Sequence, residues 1–176
     1  LGRGVSINAD GFEELDRIAA LRPNTGTGQT IGLRINPVVG EGSIAVTSTA
    51  GPRSRFGVPL STERERILDA FRRHDWLNAL HVHVGSQGCA LDLLVEGAGR
   101  AWDLARDIDG ACGEGRVVSI DIGGGLSWAY LGGGSAPTVE DYAAALRQRA
   151  PGLMRKPMRV VTEFGRSMQS GCGAAV

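Results

Sequence analysis

Two histidines alternate with apolar residues in the stretch ALHVHVGSQG at 79–88. Side chains two residues apart on a strand point the same way, so His81 and His83 are predicted to face one interior, with His83 nearer the strand's carboxyl end. Such a pair can supply two zinc ligands, or the rings can be ordinary core histidines. Zinc needs further ligands, and His74, the third histidine, lies at a predicted helix end beside two arginines. No metal is therefore expected.

Glycines follow two of the apolar runs. Gly85 and Ser86 come directly after the histidine strand, and a second run ends in Gly123, Gly124 and Gly125. Backbone amides at such positions can wrap an anion such as phosphate, although a plain tight turn also explains three glycines. The dinucleotide motif GxGxxG does not fit, because Trp128 stands where its third glycine is required.

A third apolar run ends in a carboxylate and a guanidinium, in VVTEFGRS at 160–167. Arg166 follows Glu163 by three residues, which offers an acceptor and a phosphate-binding fork at one strand end. The alternative is a structural ion pair between the two. Taken together, three strand ends supply an aromatic ring, a glycine loop, a hydroxyl, a carboxylate and a guanidinium. This combination suits pyridoxal phosphate.

These residues need elements that bring strand ends together. Apolar runs typical of strands occupy 4–9, 30–36, 78–84, 116–122 and 158–164, and helical periodicity occupies 11–22, 62–73, 91–108 and 139–149. Two helices start with capping-box spacing, Thr62 to Glu65 and Thr138 to Asp141. Regular alternation of strand and helix predicts an α/β fold with parallel strands.

Polar residues within the predicted strands favour a barrel over a doubly wound sheet. A barrel interior that opens into a site accommodates polar groups at alternate positions, whereas a sheet covered on both faces buries them unpaired. The loop at 37–60 is long enough to be functional. The polar residues are Arg34, Asn36, His81, His83, Ser119, Asp121 and Glu163.

Composition limits the classes of partner. The 176 residues are 42% hydrophobic and 22% charged, with 19 basic and 19 acidic residues, so neither nucleic acid nor a membrane surface is expected to bind. No apolar run is long enough to span a membrane. Three scattered cysteines suit a reducing compartment, so a cytoplasmic protein is expected. The chain starts at Leu1 and ends in GCGAAV, which suggests a piece of a longer protein.

Six motifs in order resemble the barrel domain of the fold type III pyridoxal-phosphate decarboxylases, which include diaminopimelate, ornithine and arginine decarboxylases. The resemblance implies an incomplete (β/α)8 barrel of the alanine racemase-like kind. The motifs are INADGFEEL (7–15), LRINP (33–37), SRFGV (54–58), HVHVGSQ (81–87), DIGGGL (121–126) and EFGRS (163–167).

The resemblance also implies roles for individual residues. His83 would stack on the cofactor ring, and Glu163 would bond the pyridine nitrogen. Arg166 would hold phosphate or a substrate carboxylate, and Arg34 would lie near the substrate. The remaining residues implied to bind the cofactor are Ser86, Gly123, Gly124, Gly125 and Gly165.

The same resemblance places this chain within a larger enzyme. Residues 1–176 would be the central part of one barrel domain, in a parent that forms a homodimer. The Schiff-base lysine would precede the chain, and a C-terminal β domain with a catalytic cysteine would follow it. Lys156, the sole lysine, is expected in a solvated loop at the opposite barrel end. Phe164 and Arg55 depart from the proline and lysine usual in the motifs.

Decarboxylation of a diamino acid is the implied activity, with meso-diaminopimelate, giving lysine and CO2, as the first choice of substrate. Gln87 and the LRINP strand favour that choice over ornithine. The alternatives are a non-catalytic regulatory relative, or a decarboxylase or racemase that acts on another basic amino acid.

Overall fold

The structure, a computed structural model, describes residues 5–21, 28–43, 48–129, 135–155 and 157–173. Lys156 lies outside the described residues, so its expected position stays a prediction. In chain order the elements are β1 (Ile7–Ala9), α1 (Phe12–Leu21), β2 (Ile31–Asn36), β3 (Val58–Pro59), α2 (Leu60–Arg73), β4 (Ala79–Val82), α3 (Leu91–Cys112), β5 (Ser119–Asp121), α4 (Val139–Arg149), β6 (Arg159–Val161) and α5 (Arg166–Gln169).

All the strands belong to one parallel sheet in the order β1-β2-β4-β5-β6, with β3 paired to the carboxyl end of β2. Chain order is thus spatial order, apart from the two-residue β3. Parallel neighbours need a crossover, and α1 to α4 provide the crossovers that join β1, β2, β4, β5 and β6. The predicted α/β fold is confirmed.

The four long helices follow one another along one side of the sheet. The Arg66 guanidinium of α2 lies 4.0 Å over the Phe12 ring of α1, α2 packs on α3, and α3 packs on α4. Apolar side chains of alternate strand positions, such as Leu33, Leu80 and Ile120, are fully buried on that side. A single outer layer of helices is the arrangement of a barrel wall, not of a doubly wound sheet.

The opposite face of the sheet carries the polar residues. The register sets Arg34 beside His81 and His81 beside Asp121, so these three side chains form one row across β2, β4 and β5. His83 follows the end of β4, and Glu163 lies two residues beyond the end of β6. The alternation in the sequence therefore predicted which side chains share the inner face.

Helix starts test the two predicted capping boxes. In α4 the Thr138 hydroxyl accepts from the Asp141 amide and the Asp141 carboxylate accepts from the Thr138 amide, so that box is confirmed. The box at Thr62 is wrong, because α2 already begins at Leu60 after Pro59. Proline fixes a φ suited to the chain entering a helix, and the first turn starts there. The short β3 and α5 were also not predicted.

Two arginines join the outer layer. Arg116 donates from Nη2 to the Phe71 carbonyl at 2.8 Å and reaches the carbonyls of His74 and Asp75, where α2 ends. Arg149 of α4 binds two carboxylates of α3, Glu96 at 2.8 Å and Asp103 at 2.8 Å. The first set of contacts fixes the end of α2, and the second joins α3 to α4.

No helix within the described ranges combines the length and apolar character that crossing a membrane requires.

Candidate cofactor site

The residues singled out in the sequence converge at the carboxyl ends of β4, β5 and β6. A cavity of about 200 Å³ opens there. Gly123 and Arg34 do not line it, whereas the other predicted site residues do. Its lining is His83, Ser86, Gln87, Gly124, Gly125, Leu126, Glu163, Phe164, Gly165 and Arg166.

Glu163 is held at the cavity by its backbone and by two rings. Its amide donates to the Gly123 carbonyl at 2.9 Å, which extends the β5–β6 pairing beyond the strands. Oε2 lies 3.2 Å from Nδ1 of His83, and Oε1 lies 3.6 Å from Nε2 of His81. Among the described residues Glu163 forms no ion pair with Arg166, so the structural pair considered from the sequence does not form there.

His83 presents one nitrogen to two different partners. The Gly124 amide donates to Nδ1 at 3.3 Å, and the Glu163 carboxylate lies 3.2 Å from the same atom. A single nitrogen cannot accept from an amide and donate to a carboxylate at once. The neutral tautomer with its proton on Nε2 accepts from Gly124, and the neutral tautomer with its proton on Nδ1 donates to Glu163.

His81 lies behind this contact and is 7% exposed. Within the described part of the chain, neither of its ring nitrogens has a hydrogen-bond partner. Burial lowers the pKa of His81 to about 4, although the nearby Glu163 opposes that shift. His81 is therefore neutral at physiological pH.

Asp121 is the other ionisable neighbour of Glu163. Burial raises its pKa to about 6 and the Glu163 charge adds to this, while the Gly123 amide, which donates to Oδ1 at 2.9 Å, opposes the shift. Asp121 thus carries a proton at a higher pH than an exposed aspartate does. In the sequence Asp121 was identified only as one of the alternating polar residues. That alternation, which sets Asp121 beside His81 in the sheet, was the available signal for its place near the site.

The glycine loop approaches other backbone too closely for side chains. A Cβ at Gly124 would lie 2.7 Å from the Glu163 carbonyl oxygen, and one at Gly125, where φ is +98°, would overlap the Gly85 carbonyl oxygen. The amides are less free than predicted, because those of Gly123 and Gly124 donate to Asp121 and His83. Their contacts with a phosphate stay predictions that require these bonds to be exchanged.

Gln87 ties the loop after β4 to the loop after β5. Its Nε2 donates to the Trp128 carbonyl at 3.1 Å and its Oε1 accepts from the Trp128 amide at 3.2 Å. These two hydrogen bonds fix the distance between the two loops that line the cavity. The sequence identified Gln87 only through the family resemblance. Its partner, Trp128, lies 41 residues away in the chain.

Arg34 lies in the same row of the sheet as His81, two residues before the position of His83, which lines the cavity. Its Nη1 binds Asp10 Oδ1 at 3.1 Å, and its guanidinium lies 4.9 Å over the Phe56 ring of the SRFGV segment. A role toward substrate stays a prediction for Arg34. Arg166, in contrast, is exposed at the cavity rim.

Phe164 occupies the position where the resembling motif has proline. Its ring lies 5.7 Å from the buried ring of Tyr142 in α4 and borders the cavity. The departure thus adds an aromatic contact between the β6 loop and α4.

Comparison with known proteins decides the family. Residues 2–170 match the family described as pyridoxal-dependent decarboxylase, pyridoxal binding domain. The chain belongs to this family. The sequence resemblance stated above is thereby confirmed.

Individual relatives agree with this assignment. The chain is 29% identical to diaminopimelate decarboxylase of Pseudomonas aeruginosa over 95% of its own length and 39% of that protein's. It is 29% identical to arginine decarboxylase of Avena sativa over 97% of its own length and 30% of that protein's. The chain therefore spans less than half of each of these pyridoxal-dependent decarboxylases.

Solved structures confirm the fold. Helicobacter pylori diaminopimelate decarboxylase, crystallised in complex with L-lysine, superposes with a TM-score of 0.75 at 24% identity, covering 93% of this chain and 40% of that one. The described strands and helices thus form part of a pyridoxal-binding barrel, as the inner polar row predicted.

Proposed function

We propose that the protein containing this chain is a pyridoxal-phosphate-dependent decarboxylase of a diamino acid, with meso-diaminopimelate as substrate and lysine and CO2 as products. The observation that carries the proposal is the position of Glu163, which lies against His83 in a cavity bordered by the glycine loop. The match of several diaminopimelate decarboxylases over most of the chain supports the choice of substrate.

The residues present fit the cofactor. A carboxylate, an aromatic ring, a hydroxyl and a guanidinium line one cavity, and the close backbone approaches at the glycine loop leave no side chain to fill it. Bound pyridoxal phosphate supplies a pyridinium ring that accepts the electron pair left by the departing CO2. Glu163 would bind the ring nitrogen and hold a proton there, and His83 would contact the ring face.

The anionic end of the cofactor would meet the cavity rim. Ser86 offers a hydroxyl, Arg166 a guanidinium, and Gly125 the one amide of the glycine loop that has no hydrogen bond among the described residues. His81 lies behind Glu163 and is neutral. A charged imidazole there would attract the Glu163 carboxylate and hold it away from the cofactor ring. Arg34, paired with Asp10, would lie toward the substrate.

We further propose that residues 1–176 form the central part of one barrel domain in a cytoplasmic homodimer. The Schiff-base lysine would come from a preceding strand, and a downstream β domain would complete the substrate site. Coverage of 39% of the Pseudomonas relative supports this division.

Replacement of Glu163 by Ala in the full-length protein tests the proposal. Turnover should fall by at least 100-fold while the affinity for pyridoxal phosphate changes little, since the rim residues remain. Glu163→Gln should restore little activity, because an amide cannot keep the ring nitrogen protonated. Glu114→Ala, at an exposed loop residue far from the cavity, serves as the control. Unchanged turnover in Glu163→Ala would refute the assignment.

A non-catalytic relative and a different basic substrate are the alternatives. The oat arginine decarboxylase covers as much of this chain as the diaminopimelate decarboxylases do. Release of CO2 from meso-diaminopimelate, arginine and ornithine, measured side by side, separates these possibilities. A regulator would bind the cofactor and release CO2 from none of them, and a racemase would invert its substrate without CO2 release.

A further inference from the structure

We propose that His81, His83 and Glu163 form a zinc-binding site in the cofactor-free protein, so that zinc and pyridoxal phosphate compete for the same cavity. The zinc site stands on the geometry of these three residues. The competition rests in addition on the proposed function, because it requires the cofactor to contact His83 and Glu163.

The three side chains meet the geometric requirement for zinc. One donor atom from each lies within 4.8 Å of the other two. The two measured contacts to the carboxylate are 3.6 Å from His81 and 3.2 Å from His83. Bonds of about 2.0–2.1 Å in a tetrahedral site place neighbouring donors roughly 3.3 Å apart. The two contacts to the carboxylate are thus close to that spacing, and closing the site requires only that the two histidine donors, which lie at most 4.8 Å apart, approach each other.

The donors also match the chemistry of zinc. Two imidazoles and one carboxylate make a three-ligand set that leaves a fourth position for water. The sequence predicted no metal because no third ligand was evident beside the HxH pair. Folding supplies it from Glu163, 80 residues after His83.

An independent observation comes from His81. Its side chain is 9% exposed and points at the Glu163 carboxylate, yet neither ring nitrogen forms a hydrogen bond within the described residues. Burial of a polar group without a partner costs about 1–3 kcal/mol. A metal at Nε2 would satisfy that nitrogen, which no described hydrogen-bond donor or acceptor does.

Occupation by zinc and by the cofactor is mutually exclusive on this arrangement. Both need the Glu163 carboxylate and the inner side of the His83 ring, and the cavity measures only about 200 Å³. His81 lies behind Glu163 and does not line the cavity. It is therefore the ligand whose removal separates the two binding events.

The test uses the full-length protein with the cofactor released from its lysine by hydroxylamine and then removed by dialysis, and with its cysteines kept reduced. Zinc is titrated in competition with a colorimetric chelator, and Co²⁺ is added separately to obtain the visible absorption bands of a site with nitrogen and oxygen ligands. One tight zinc per chain is expected. His81→Gln should weaken zinc binding by at least 30-fold while leaving the affinity for pyridoxal phosphate within about threefold.

His74→Gln is the matched control, because His74 is the one other histidine in the sequence and lies at the end of α2. It should leave zinc binding unchanged. Saturation with pyridoxal phosphate should abolish the cobalt bands in the unaltered protein. Equal zinc affinity in His81→Gln and the unaltered protein would overturn the site, as would the absence of any tight zinc.

The two proposals fail differently. Zinc that depends on His81 in a protein that does not bind pyridoxal phosphate would refute the proposed function and keep the metal site. Zinc that depends on His81 but still binds to the cofactor-loaded protein would refute the competition.

Discussion

Gly125 is the position at which a single added methyl group should weaken both folding and cofactor binding. Its φ is +98°, and a Cβ there would overlap the Gly85 carbonyl oxygen and lie 3.1 Å from Leu94 Cδ2. A non-glycine residue in such a conformation costs on the order of 1–3 kcal/mol. The overlap adds to that cost, because one of two backbone segments at the cavity must move.

Gly113 provides a matched comparison. Its φ is +109°, and a Cβ there would meet nothing within 4 Å. Gly113→Ala therefore carries the conformational cost without the overlap, at the exposed end of α3, away from the cavity. We expect it to lower the stability of the full-length protein by about 1 kcal/mol and to leave cofactor affinity unchanged.

Gly125→Ala should lower stability by about 2–3 kcal/mol and weaken pyridoxal phosphate binding by at least tenfold, which corresponds to about 1.4 kcal/mol. Urea denaturation and fluorescence titration with the cofactor measure the two quantities. Gly125→Ala with unchanged cofactor affinity would refute the argument that this loop is set by its approach to Gly85. Equal loss of affinity in both variants would show that the effect is general destabilisation.

Three further substitutions test other contacts. Arg116→Met should destabilise the protein by about 2 kcal/mol in urea denaturation, since the carbonyls that end α2 lose a charged donor, and Arg116→Lys should restore part of this. Arg149 holds the pKa of Glu96 below its ordinary 4.5. The unaltered protein should therefore be more stable than Glu96→Gln by a constant free energy above pH 4.5, and this difference should disappear as the pH falls through the lowered pKa. Gln87→Ala should raise the dissociation constant for pyridoxal phosphate about fivefold, with Gln87→Glu intermediate, in the same fluorescence titration.

The sequence was sufficient for the fold because its signals are periodic. Alternation at His81 and His83 defined an inner face, and strand–helix repetition defined parallel pairing. The box at Thr138 was correct because α4 begins at Val139, so that Thr138 rather than Pro137 is the capping residue. The box at Thr62 was wrong because Pro59 lies just before it and begins the helix two residues sooner.

The site was only partly predictable, because its energetics depend on partners that are distant in the chain. Residues lining the cavity could be found from strand ends. Three other features arise from tertiary packing. They are the hydrogen bond from the Gly124 amide to His83, the hydrogen bonds between Gln87 and Trp128, and the burial of His81 without a hydrogen-bond partner among the described residues. No periodicity in the sequence encodes them.

The coincidence of chain order and sheet order bears on how the protein is made. A ribosome releases β1, β2, β4, β5 and β6 in the order in which they stand side by side, so each strand can dock on a neighbour that has already emerged. His83 is then in place long before Glu163, which arrives 80 residues later. At a synthesis rate of about 5–20 residues per second, this interval lasts roughly 4–16 seconds. During it the nascent chain exposes the two histidines without their carboxylate, and the cavity becomes competent only when β6 closes beside β5.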